Sequence, residues 1–104
     1  MTLAVDLSRD EIIACLRGLE PALRKRGVKS LAIFGSRSRG DARPNSDLDV
    51  LIEVERDRKF SLLDLVGISH IIGDELGIPA NMFMRRSLEP QMARTIKPDI
   101  IEIF

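Results

Sequence analysis

Two short polar elements stand out by residue type and spacing: Gly35-Ser36, then ten intervening residues, then Asp47-Leu48-Asp49. Glycine lets a backbone come close to a phosphate, and a serine hydroxyl with neighbouring amides can donate to phosphate oxygens, above all where a helical turn begins. Residues two apart on a β-strand point to the same side, so Asp47 and Asp49 can share a pair of divalent ions. Magnesium takes such oxygen ligands and completes its shell with water and substrate phosphates. Of two ions held there, one would activate an attacking hydroxyl and the other would steady a leaving pyrophosphate. Either half of the pattern is commonplace alone, since Gly-Ser is a frequent turn and Asp-x-Asp at a strand entrance is often solvated surface. Together they make Asp47 and Asp49 the expected catalytic metal ligands, with Gly35 and Ser36 as the cradle for a triphosphate. Arg37, Arg39 and Arg43 lie in or beside that cradle, where a guanidinium can pair with phosphate oxygens through two donors. Arg39 is the preferred nucleotide-binding candidate, while Arg37 and Arg43 read equally well as solvated loop charges.

The elements that must position these residues can be read around them. Ser8 followed by Glu11 is a capping box, and Ile12, Leu16, Leu19 and Leu23 recur at helical spacing, which predicts a helix over residues 8–26 with a bend at Pro21. Gly27 is its expected stop, and residues 29–34 read as a short buried strand running straight into Gly35. Residues 35–46 read as a polar loop or short helical turn. Residues 47–54 alternate as a strand, with Leu48, Val50, Ile52 and Val54 on one side and Asp47, Asp49 and Glu53 on the other. Ser61 caps a second long helix that stops at Gly77; residues 79–84 read as a third strand, 88–96 as a short helix and 99–104 as a last strand. Helices alternating with strands predict an α/β layer arrangement, one domain spanning residues 1–104.

Composition narrows the classes. Sixteen basic and sixteen acidic side chains cancel, so no global field draws the chain to nucleic acid or to an anionic membrane, and any polyanion site must be local. Direct binding to DNA stays open. One cysteine, Cys15, forbids an internal disulfide, and no export signal or membrane-spanning run is legible, so a cytoplasmic location is expected. Cys15 reads as a small core residue, and the lone His70 as a surface or interface residue without companions at metal-ligand spacing. Arg85 and Arg86 after the third strand read as solubilising surface. Leu63, Ile68 and Ile71 widen the apolar face of the second helix, which means either deep burial or a docking surface.

The run FGSRSRGDARPNSDLDVLIEV, Phe34 to Val54, resembles the signature of the minimal nucleotidyltransferase (MNT) antitoxins of the polymerase beta superfamily. SLLDLVGISHIIGDELGI and RRSLEPQMARTI are similar to the helix and closing segment that follow in that family. The resemblance implies a polymerase-beta-like nucleotidyltransferase fold of α+β type, a small mixed β-sheet packed against helices. It implies that Gly35 and Ser36 hold the nucleotide phosphates and that Asp47 and Asp49 hold two magnesium ions. It also implies a HEPN-family toxin as partner in a hetero-oligomer, with AMP passing from ATP to a toxin tyrosine. One position departs from the pattern: where the family carries a third carboxylate on its third strand, this chain has Asn81. An amide oxygen can ligate magnesium but adds no negative charge and is a very poor base. Glu53 lies too far along its strand to substitute, about 13 Å from Asp49 at strand rise. Two functions are therefore expected in competition: adenylyl transfer to the toxin, or a catalytically weakened antitoxin that neutralises the toxin by binding alone.

Overall fold

The computed structural model describes residues 7–104; residues 1–6, part of the stretch read for an export signal, lie outside it. Ser8 caps helix α1 (Arg9–Gly18) in the expected box, its Oγ accepting from the Glu11 N–H while Glu11 accepts from the Ser8 N–H. The single helix predicted over 8–26 is two, because α2 (Glu20–Lys25) restarts after Leu19 with Pro21 in its first turn. Proline has no N–H to donate back and its ring crowds the preceding turn, so the break falls where the sequence suggested only a bend.

Strand β1 (Val28–Phe34) and strand β2 (Leu48–Val54) pair antiparallel, with Leu31 opposite Ile52 and Phe34 opposite Asp49. Between them lies the short helix α3 (Ser36–Arg39). Helix α4 (Leu62–Leu76), capped by Ser61 and ended by Gly77, carries the chain across to strand β3 (Ala80–Met84), which runs parallel to β2. A parallel pair needs such a crossover, and a helix is the element that supplies it. A 3-10 turn (Arg85–Ser87), helix α5 (Pro90–Ile96), a second 3-10 turn (Lys97–Asp99) and strand β4 (Ile101–Glu102) complete a sheet of order β3-β2-β1-β4. Helix α5 begins later than predicted because Glu89, preceding Pro90, is held extended by the proline ring. Strand β4 is shorter than predicted because the turn through Pro98 consumes its first residues.

The two faces of the sheet are covered unequally. On one, Ile12, Leu16 and Leu23 of the first two helices and Ile68, Ile72 and Leu76 of α4 pack on Leu31, Ile33, Leu48, Val50, Ile52 and Val54. Each fully buried side chain of this size contributes about 1.5–3 kcal/mol, so this face carries most of the fold. The other face has a smaller cluster of Ala32, Phe34, Leu51 and Ile96, edged by half-buried Phe83, Leu88, Met92 and Ile100. Asp49 belongs to this second face, between Phe34 and the edge strand, where helical cover stops short. No helix among the described residues is long and apolar enough to cross a membrane.

Candidate active site

Three neighbouring strands bring the polar residues together. The β1–β2 register sets Phe34 beside Asp49, so the turn at Gly35 follows at the aspartate's flank. The β2–β3 register sets Asn81 directly beside Asp49 on the other flank. Gly35 has φ +80° and ψ −158°, a conformation open to glycine almost alone, and any Cβ there would run into the Asp49 carboxylate. The glycine is thus required twice, by its backbone angles and by the approach of the acid. From it springs α3, whose first residue, Ser36, is half-buried; the Ser38 and Arg39 N–H groups donate back to the Gly35 carbonyl at 3.1 and 3.0 Å.

Asn81 joins the two acids. Its Nδ2 donates to Asp47 Oδ2 at 3.2 Å and to Asp49 Oδ1 at 3.3 Å, so both carboxylates converge on one amide group. Asp47 is not within the strand as expected: β2 begins at Leu48, and Asp47 is an exposed residue at its threshold. The pair still shares one side. Partial burial pushes the Asp49 carboxyl above the ordinary carboxylate value; the Asn81 hydrogen bond opposes this, the Asp47 charge adds to it, and the Arg39 charge offsets part of it. Among the described residues no third acid, histidine or cysteine joins the two carboxylates.

The residues present fit a hard divalent cation. Two carboxylates supply oxygen donors and negative charge, and the positive edge of the Asn81 amide already lies where positive charge is favoured. Rotation of that amide would offer its Oδ1 as a third, neutral oxygen ligand.

The arginines divide in a way their spacing did not disclose. Arg39 is exposed and charged beside Asp49, but its guanidinium is paired with Asp41 (3.1 Å) and Asp99 (2.9 Å), which hold its pKa above the ordinary value. Arg37 is neither a solvated charge nor a phosphate arm. It is 5% exposed and donates to the backbone carbonyls of Ser46 and Pro44. The Arg43 side chain is exposed, and its backbone N–H donates to Ser46 Oγ at 2.9 Å. Sequence reasoning also missed Asp99, whose carboxylate takes Arg39 and whose carbonyl takes the Ser38 hydroxyl. With Arg39 and Asp99 separated by 60 positions in the chain, no local pattern could have signalled the pair.

Outside this cluster, His70 is exposed on α4 and Cys15 is half-buried against the main core. Of the apolar residues on α4, Ile68 is fully buried and Ile71 half-buried, whereas Leu62 and Leu63 are 75% and 82% exposed. Glu53 accepts from the Ser30 hydroxyl at 3.3 Å, away from the aspartate pair, as expected. Arg85 is engaged with Glu102 at 3.0 Å instead of serving only as solubilising surface, and Arg86 is exposed.

Comparison with known proteins adds a lineage to this geometry. The nucleotidyltransferase domain family matches residues 16–103. Protein adenylyltransferase MntA of Thermococcus cleftensis is 31% identical over 98 residues, covering 93% of this chain and 97% of that protein. A solved minimal nucleotidyltransferase has the same fold with a TM-score of 0.77 and 26% identity, covering 92% of this chain and 96% of that one. A chain of the complex between the tri-AMPylated HEPN toxin and the MNT antitoxin of Shewanella oneidensis shares the fold at a TM-score of 0.64 and 12% identity, with 88% and 70% covered.

Proposed function

The chain belongs to the nucleotidyltransferase domain family, as a minimal nucleotidyltransferase related to protein adenylyltransferases, and on that premise we propose that it is the antitoxin of a HEPN/MNT pair, moving AMP from ATP to a tyrosine hydroxyl of the toxin. The observation that carries this reading is the convergence of Asp47 and Asp49 on Asn81, with Gly35 pressed against Asp49 so that a phosphate turn adjoins the acids.

In this mechanism Asp47 and Asp49 would hold magnesium, two ions when ATP is bound, and Gly35 with Ser36 would receive the β- and γ-phosphates. Bound magnesium supplies charge neutralisation at the phosphates and acidifies the attacking hydroxyl. That oxygen forms a bond to the α-phosphorus as the bond to the bridging oxygen breaks, and pyrophosphate leaves with the electron pair. Asn81 cannot take the hydroxyl proton and the two aspartates are committed to the metal, so the proton passes to water. Arg39 exchanges its pairing with Asp41 and Asp99 for the triphosphate, a bidentate partner of higher charge. The protein acts inside the cell, where ATP, magnesium and the toxin meet.

Labelled ATP, magnesium and the partner toxin test the proposal together. Label should reach the toxin with the native chain and be lost with Asp47→Asn combined with Asp49→Asn; equal labelling by the double variant rules the mechanism out. Asn81 favours one competing reading, in which the chain neutralises its toxin by covering it. Under that reading protection survives the double substitution and needs no ATP.

A further inference from the structure

Asp47 and Asp49 are held by different means. Asp49 lies inside β2 with laddered neighbours on both sides. Asp47 precedes the first laddered residue: the Leu48 N–H donates to the Pro79 carbonyl at 2.9 Å, and Ser46, on the other side of Asp47, is reached by the buried guanidinium of Arg37. Arg37 Nη2 and Nε donate to the Ser46 carbonyl at 2.7 and 3.2 Å, and Nη2 also reaches the Pro44 carbonyl at 3.4 Å. A guanidinium this buried persists only where its donors are met, and a lysine cannot reproduce a fork that spans two carbonyls. Arg37 also sits on α3 immediately after Ser36, so one side chain ties the phosphate turn to the residue that delivers Asp47.

We propose that Arg37 is a positioning residue: through the Ser46 and Pro44 carbonyls it sets the place of Asp47 relative to Asp49 and to the Gly35-Ser36 turn, without touching nucleotide or metal. This rests on the reading of the aspartates as the metal-holding pair. Cutting the clamp lets residues 40–46 drift, and Asp47 then spends less of its time beside Asp49. Divalent affinity and kcat fall together, while the KM for ATP, set at the intact turn, stays near its native value. A role confined to folding would lower Tm and leave the metal affinity of the folded fraction unchanged.

The test uses the full chain carrying Arg37→Lys or Arg37→Ala, with Mn2+ alone as the probe, read by its electron paramagnetic resonance signal, and with amide hydrogen exchange of residues 42–48. Arg37→Lys, which keeps length and charge, guards against a variant that fails to fold. In both variants exchange at Arg43, Ser46 and Leu48, whose N–H groups are hydrogen-bonded around the clamp, should accelerate while β2 from Val50 onward keeps its protection. Mn2+ affinity should fall about tenfold, the scale seen when the groups supporting metal ligands are lost. Millimolar guanidinium should restore part of that affinity to Arg37→Ala by refilling the cavity, and none to Arg37→Lys. Unchanged exchange in the loop, or faster exchange with native Mn2+ affinity, overturns the clamp. Failure of the unsubstituted chain to bind Mn2+ sinks the reading of the aspartate pair and the proposal with it, whereas a loss confined to the variants leaves that reading standing.

Discussion

The interior of β2 and the loop that precedes it each deliver one carboxylate, under opposite physical regimes. Asp49 is fixed by the sheet: Phe34 pairs with it on one side, Asn81 on the other, and buried hydrophobic residues precede and follow it. Its geometry is a by-product of the core, and its partial burial raises its pKa. Asp47 stands exposed at the end of a polar segment with no apolar anchor of its own, and hydrogen bonds to backbone carbonyls hold the residues before it. A pair of converging carboxylates can thus be assembled from one rigid and one adjustable member, and rigidity at the second has to be supplied by a side chain instead of by packing.

Substitutions can break this contrast, and the largest effect is expected at Gly35. Gly35→Ala forces a methyl against the Asp49 carboxylate at a φ that alanine resists, so toxin labelling should fall by about 100-fold or more, on the scale of a misplaced catalytic group. Labelling within a fewfold of native would show that the sheet does not fix Asp49 as tightly as argued. Phe34→Ala attacks the same support from below, removing a buried ring that packs edge-on against Phe83 at 5.2 Å. It should cost about 3–5 kcal/mol in urea unfolding, whereas substitutions in the 40–46 loop should cost far less.

Asn81→Asp addresses both acids at once. A third carboxylate in place of the amide should tighten magnesium binding by about tenfold in calorimetry and raise the rate of transfer. Tighter metal binding without faster transfer would favour neutralisation by binding alone. The pH dependence comes next in size. Because the Asp49 pKa is raised, metal binding should begin to weaken above the ordinary carboxylate range as pH falls, since the proton to be displaced is held more firmly. The sign for the metal-free fold is the reverse. The folded state holds this proton longer than the unfolded chain, so Asp49 weighs against stability above its folded pKa, and the burden disappears as pH falls through that value to the unfolded one. Asp49→Asn should therefore raise Tm at neutral pH and lose its advantage in acid. Ser46→Ala should do least: it deletes the hydroxyl that accepts from the Arg43 N–H but leaves the Arg37 clamp, so Mn2+ affinity should drop only a fewfold.

Legibility in the sequence followed the range of the forces involved. The Ser8–Glu11 capping box, the Ser61 cap, the Gly77 stop and the alternation of Leu48, Val50, Ile52 and Val54 are patterns within one element, and all appear in the structure as read. The break at Leu19 and the late starts of α5 and β4 were misjudged by a few residues, in each case beside a proline whose effect on the chain is local but graded. Arg37 was weighed as a loop charge because a polar loop gives no sign of which of its side chains will be buried.

From residue types and spacing alone came the pair of acids and the glycine beside them, because each is defined over a few neighbouring positions, while the place of Asn81 where an acid is usual came from the family resemblance. Only the tertiary structure decided that Asn81 bridges the two acids across 34 and 32 residues of chain, that Asp99 takes Arg39, and that Arg37 grips the loop. Those contacts depend on strand order, register and burial, which arise when the sheet closes its hydrophobic face and which no short stretch of sequence encodes.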